Sequence, residues 1–245
     1  MNSKKKTDSR KGIAAQTAAP RKRPAITASE EIYAKLQQAI FEHRLLPGTK
    51  LIEERLGEVV GTSRTIIRQV LARMAHEKLV TLIPNRGAYI ASPSVAEARE
   101  VFVARRLIEP EVVRMLCSVA APAHLALLRA HVAQESRARA AGDRASIIRL
   151  SGEFHVLLAS LAGNATLLRI IREMCAQTCL AIALYDKPNA PACPFHEHAG
   201  IIDAIERHAP DAAIEGMLQH LDHIEKTLDF NDKTQGLVDW RSIFS

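Results

Sequence analysis

One stretch, residues 53 to 91, restricts the fold more than any other: EERLGEVVGTSRTIIRQVLARMAHEKLVTLIPNRGAYIA. A short helical segment over 53 to 60 stops at Gly61, where a glycine suits the left-handed residue that closes a helix. Ser63 then opens a second helix running to about 78. Ile66, Ile67, Val70, Leu71 and Met74 form its apolar stripe, while Arg64, Thr65, Arg68 and Gln69 point to the other side. Between Val59 and His76 there are three arginines and no Asp or Glu. The next residues alternate as VTLI, a turn PNRG and AYIA, which predicts a two-stranded wing. Two helices joined by a glycine turn, the second basic on its outer face and followed by a wing, suit a winged helix-turn-helix on double-stranded DNA. The arginine face reads guanine edges or holds phosphates. A basic solvated helix packed on a hairpin is the alternative.

The rest of the chain has a helical texture. A helix is expected over about 29 to 43, before the Pro47-Gly48 turn. Beyond Ser94, which with Glu97 offers a capping box, helices read at about 95 to 119, 122 to 141, 144 to 162, 165 to 186, 195 to 208 and 210 to 230. Pro110 falls inside the first of these and is expected to kink it. The fold class is therefore mainly α: an N-terminal winged helix-turn-helix and a C-terminal antiparallel helical bundle. The expected domains are a disordered basic tail over 1 to 27, a DNA-binding unit over 28 to 92, a helical unit over 93 to 231 and a tail over 232 to 245.

Net charge is +6, yet residues 1 to 25 hold eight basic side chains and one acid. The basicity thus belongs to the leading tail, which can add salt-sensitive phosphate contacts or serve only as a soluble leader. No apolar run is long enough for a membrane span, and "MNSKKKTDSRKG" is no secretory signal. Four cysteines without framework spacing point to the reducing cytoplasm, with Cys175 and Cys179, one turn apart, as buried apolar residues.

From about 28 to 230 the sequence resembles the GntR family of bacterial transcription regulators, in the branch carrying an all-helical FCD ligand-binding domain. The resemblance rests on Leu45-Leu46-Pro47-Gly48-Thr49-Lys50-Leu51, Glu53, Leu56, Gly61, Ser63-Arg64-Thr65, Ile67-Arg68, Leu71 and Pro84-Asn85-Arg86-Gly87. In the second half it rests on Arg105-Arg106-Leu107-Ile108-Glu109, on EFHVLLASLAGNATLL over 153 to 168, and on His198 and His220. It implies DNA contacts from Ser63, Arg64, Thr65 and Arg68 and from the wing at Asn85, Arg86 and Gly87. Where the family often has an arginine this chain has Glu54, and the adjacent Arg55 is offered as a phosphate contact.

The resemblance also implies a divalent metal (Zn, Ni or Mn) held by His155, His198 and His220. The family's fourth ligand, an Asp, is replaced here by Ser151. A three-His platform with open positions would remain; hydrogen-bonded core histidines are the other reading. Arg105, Ser151, His196 and His223 are the candidate effector-site residues, with a small carboxylate as effector. Arg105 can equally form an ion pair with Glu109, one turn away. The resulting expectation is a ligand-responsive repressor, homodimeric on its operator, and not an enzyme, since no well-placed general base stands next to the histidines. A metal-dependent hydrolase fused to a DNA-targeting unit and a sensor of the ion itself are the competing readings.

Overall fold

The computed structural model describes residues 28–187 and 195–231. The two expected tails, 1 to 27 and 232 to 245, lie outside the described residues.

Helix α1 (Ala28–Phe41) buries Ile32, Tyr33, Ile40 and Phe41. A short strand β1 (Lys50–Leu51) precedes α2 (Glu53–Val60), which ends at Gly61 in the left-handed region, φ 68°. Helix α3 (Arg64–His76) is capped by Ser63, whose hydroxyl accepts from the Ile66 amide, and buries Ile67, Val70, Leu71 and Met74. Gly57 makes the close approach of α2 to this turn possible, because a Cβ there would stand 3.0 Å from the Thr62 carbonyl oxygen. Strands β2 (Val80–Ile83) and β3 (Gly87–Ile90) form the wing. The sheet has three strands rather than the expected two, in the order β1-β3-β2, with Lys50 opposite Tyr89 and Leu51 opposite Ala88. Two residues are too short a run to show alternation, so β1 is defined by its partner and not by its own pattern.

The helical half begins with α4 (Val95–Val119). Its N-terminus carries the reciprocal Ser94–Glu97 capping box, and the helix continues through Pro110. Then come α5 (Pro122–Ala140), α6 (Arg144–Leu161), α7 (Ala165–Tyr185), α8 (Phe195–Glu206) and α9 (Pro210–Lys226). Helix α9 stops earlier than its sequence pattern suggests. Leu228 leaves the helix to form a bridge with Asp186, and the Asp229 amide donates to the Tyr185 carbonyl. Helix α4 lies against α6, α7 and α9, α5 against α6 and α8, and α8 against α9. Their apolar faces meet around Val113, Leu116, Leu128, Phe154, Leu158, Ile202 and Leu221.

The two halves share packing. The core around α1 and α3 extends to Ile148 on α6 and to Ala176, Cys179 and Leu180 on α7. His43 Nε2 lies 3.3 Å from the Cys179 carbonyl, and Arg149 on α6 pairs with Glu42 at 3.4 Å. Cys175 and Cys179 are buried as expected, and burial pushes the Cys175 thiol up to about 12. No described helix is long and apolar enough to cross a membrane.

Candidate functional site

Three helices bring three imidazoles to one point inside the bundle. His155 on α6, His198 on α8 and His220 on α9 are at most 2% exposed. His155 Nε2 is 3.2 Å from His220 Nε2, and His198 Nε2 is 3.0 Å from the same atom. The other nitrogen of each ring faces a carboxylate. His155 Nδ1 is 2.5 Å from Glu109 on α4, His198 Nδ1 is 2.9 Å from Glu135 on α5, and His220 Nδ1 is 2.8 Å from Glu197 on α8. Phe154 stacks on the His198 ring with centroids 4.0 Å apart and so fixes its plane.

The electrostatics favour ionised carboxylates around the cluster and a neutral His155 ring. Burial opposes ionisation of Glu109, but Arg105 and His155 outweigh it and hold its carboxyl below the usual range. Burial likewise opposes ionisation of Glu135, yet hydrogen bonds from His131 and His198 bring it down to about 2. Glu197 is also brought to about 2, burial being outweighed by His220 and His223. Burial pushes His155 well below its ordinary value; Glu109 opposes this, and Arg105 adds to it.

A neutral imidazole has one N–H and one lone pair. With each Nδ1–H donated to a carboxylate, the three Nε2 lone pairs face one another, an arrangement that a shared cation relieves. Two nitrogens bound tetrahedrally at the usual Zn–N length stand about 3.3 Å apart, close to the separations found. Carboxylates on the outer nitrogens fix the tautomer and raise ligand basicity. The donor set therefore fits a divalent ion of the imidazole-preferring kind, such as zinc or nickel.

Ser151 lies half-buried one turn before His155 on α6. Of the two roles open to Arg105, the ion pair is formed: Nε donates to Glu109 Oε1 at 2.5 Å and Nη1 to Thr178 at 3.2 Å. Its Nη2 is buried without a hydrogen-bond partner. His223 is half exposed and reaches the cluster only through Glu197, which it contacts together with His220. His196 is on the exposed side of α8. Glu153 pairs with Arg149 and faces away from the cluster.

Sequence reading missed Glu135 and Glu197 and assigned Glu109 only to Arg105. The available signal was charge on an apolar stripe. Glu109 lies in line with Phe102, Val112 and Leu116 of α4, and Glu135 in line with Leu128 and His131 of α5.

A second site lies on the winged helix. Ser63, Arg64, Thr65 and Arg68 sit on the exposed side of α3, Arg55 is exposed on α2, and Asn85, Arg86 and Gly87 form the exposed wing tip. Asn85 and Gly87 both have positive φ, 61° and 99°, which the tight turn requires and which suits these two residue types. Arg68 donates to Glu53 at 2.7 Å, and Arg64 Nη2 is 3.8 Å from the same oxygen.

Residues 28–90 match the model of the "Bacterial regulatory proteins, gntR family", and residues 100–223 match the FCD domain model. The chain belongs to the GntR family. Within it, the HTH-type transcriptional repressor RspR of Escherichia coli K12 is 25% identical over 206 residues, covering 84% of this chain and 90% of RspR. The fold is shared with E. coli McbR/YncC, at TM-score 0.73 and 16% identity, covering 82% of this chain and 96% of that one. It is shared too with a GntR transcriptional regulator from Rhodococcus sp. RHA1, at TM-score 0.70 and 20% identity over 81% and 95%. This GntR-family chain is thus a DNA-binding transcription regulator built from a winged helix and an FCD bundle. Its relatives are regulators and not enzymes, which removes the support for the hydrolase reading.

Proposed function

We propose that this GntR-family chain is a ligand-responsive repressor that binds operator DNA as a homodimer in the cytoplasm. Its effector unit, residues 93 to 231, would hold a divalent ion through His155, His198 and His220 and a small carboxylate beside it. The DNA-binding unit, 28 to 92, would read the operator through Arg64, Thr65 and Arg68, with Ser63, Arg55 and the wing at Asn85 to Gly87 contacting the backbone.

The observation that carries the reading is the convergence of three Nε2 atoms, each ring backed by a buried or half-buried carboxylate. A single N–H···N bond satisfies two such nitrogens, whereas three converging on one point match the ligand set of a shared cation. Ser151 in place of a carboxylate leaves room on the ion for an anionic ligand, and the buried Nη2 of Arg105 offers a donor that matches a carboxylate oxygen. RspR is named a repressor, which supports that sign of regulation. Val103 and Leu107, exposed one turn apart on α4, supply an apolar face for a second copy.

Metal analysis of untagged protein tests this reading. Wild type is expected to carry about one zinc, nickel or manganese per chain, Ser151→Asp to bind it more tightly, and His155→Ala to lose it. A wild type that takes up no ion from solutions of these metals would overturn the metal reading. If removal of the ion alone releases DNA, the ion is itself the effector; if only a carboxylate does so, the metal is its anchor.

A further inference from the structure

Glu53 is the first residue of α2, with its side chain 23% exposed, and its Oε2 is shared by the two arginines of the recognition helix. The arginines themselves are open to solvent, 60% and 66% exposed. Ion pairs this exposed contribute little to stability, so the arrangement has small value as a structural brace. Its effect on DNA contact is larger. Arg68 Nε donates to Glu53 at 2.7 Å, which orients the guanidinium plane and leaves the two Nη groups out of that bond. Paired N–H donors are what a guanidinium needs to read the N7 and O6 of guanine. An untethered arginine swings freely to whichever phosphate is nearest, whereas a tethered one must first give up its bond to Glu53, a modest bias toward the held orientation. The same carboxylate lies 3.8 Å from Arg64, beyond hydrogen-bond reach, and acts there through charge alone.

We propose that Glu53 is a specificity-determining positioning residue of the DNA interface: its carboxylate holds Arg68 for base reading and withdraws positive charge from non-specific phosphate contact. The proposal rests on α3 being the DNA-reading helix. Glu53 faces that helix from α2, and the neighbouring Glu54, exposed on the same turn, provides a control for charge without the tether.

The test uses the full chain, selection from a random-sequence duplex library, and titration of the selected site and of poly(dI-dC) at several salt concentrations. Glu53→Gln is expected to bind poly(dI-dC) more tightly, with a log–log salt slope steeper by about 0.9, the value of one further phosphate contact. Its selected motif is expected to lose information at one base position. Arg68→Ala must weaken binding and relax that same position. If Arg68→Ala leaves the motif and affinity intact, the reading of α3 fails. If Arg68→Ala acts but Glu53→Gln changes neither slope nor motif, or Glu54→Gln flattens the motif equally, the role given to Glu53 is overturned.

Discussion

Glu135 offers the sharpest test of how the histidine cluster works, because it touches a ring and does not belong to the converging set. Both of its oxygens approach His198 Nδ1, at 3.0 and 2.9 Å, and Oε1 is 3.4 Å from His131 Nε2. His131 Nε2 is itself 2.8 Å from the Leu150 carbonyl, so that nitrogen carries the hydrogen and is a donor toward both oxygens. Glu135→Gln keeps the shape but removes the charge. Whichever way the amide turns, one nitrogen-bound hydrogen of a histidine meets an NH2 group. With the amide oxygen in the Oε1 place, the NH2 stands where Oε2 was, 2.9 Å from His198 Nδ1; turned the other way, the NH2 faces His131, which keeps only the Leu150 carbonyl. Loss of such a buttress lowers metal affinity by about 10- to 100-fold, or about 1.4 to 2.8 kcal/mol. Competition against a chromophoric zinc chelator reads this directly, and Glu153→Gln, altered on α6 away from the cluster, should leave affinity unchanged. Zinc affinity in Glu135→Gln equal to wild type would refute the argument that the carboxylates prepare the rings for a cation.

Two further outcomes follow from the geometry. Gly57→Ala places a methyl group 3.0 Å from the Thr62 carbonyl and should destabilise the chain by about 1 to 3 kcal/mol in urea unfolding. Gly200→Ala in α8, where a Cβ meets nothing within 4 Å, should stabilise it by about 0.5 to 1 kcal/mol through helix propensity; the two variants moving alike would contradict this. Metal-free stability should fall on acidification. His155 has a folded pKa below its ordinary 6.5, so the unfolded chain binds more protons and stability drops as pH falls through 6.5. Glu135 and Glu197, at about 2 when folded, lose their contribution as pH falls below 4.5. His131, raised by Glu135 against its burial, opposes the first step in part. A melting temperature in chelator that rises from pH 7 to pH 5 would show this balance to be wrong.

The DNA-binding half was legible because local rules and tertiary packing agree there. Gly61 and Ser63 act where their backbone and capping preferences place them, and the stripe read along α3 is the stripe that Ile67, Val70, Leu71 and Met74 bury. What was not legible there is non-local. Strand β1 exists because Lys50 and Leu51 find β3 nearly forty positions later, and Glu53 meets Arg68 across a turn that no periodicity describes. The early end of α9 has the same origin, since Leu228 is withdrawn by Asp186 from a distant helix.

In the bundle the positions of the histidines were legible through family resemblance, whereas their chemistry had to wait for the fold. His155, His198 and His220 come from three helices, and nothing in their spacing says which nitrogen of each ring turns inward. Glu109, Glu135 and Glu197 decide that, from α4, α5 and α8. Each is an acid whose helix buries apolar neighbours in line with it or, for Glu197, one that stands next to a histidine at 0% exposure. An isolated carboxylate in such a place would be protonated or expelled. Its retention as an ion requires a donor, either on its own helix, as Arg105 is for Glu109, or on a facing one, so a carboxylate written into an apolar stripe is a statement about a partner. A buried histidine is a partner in all three cases, beside Arg105 for Glu109 and His223 for Glu197, and the second nitrogen of each buried ring faces the centre of the bundle.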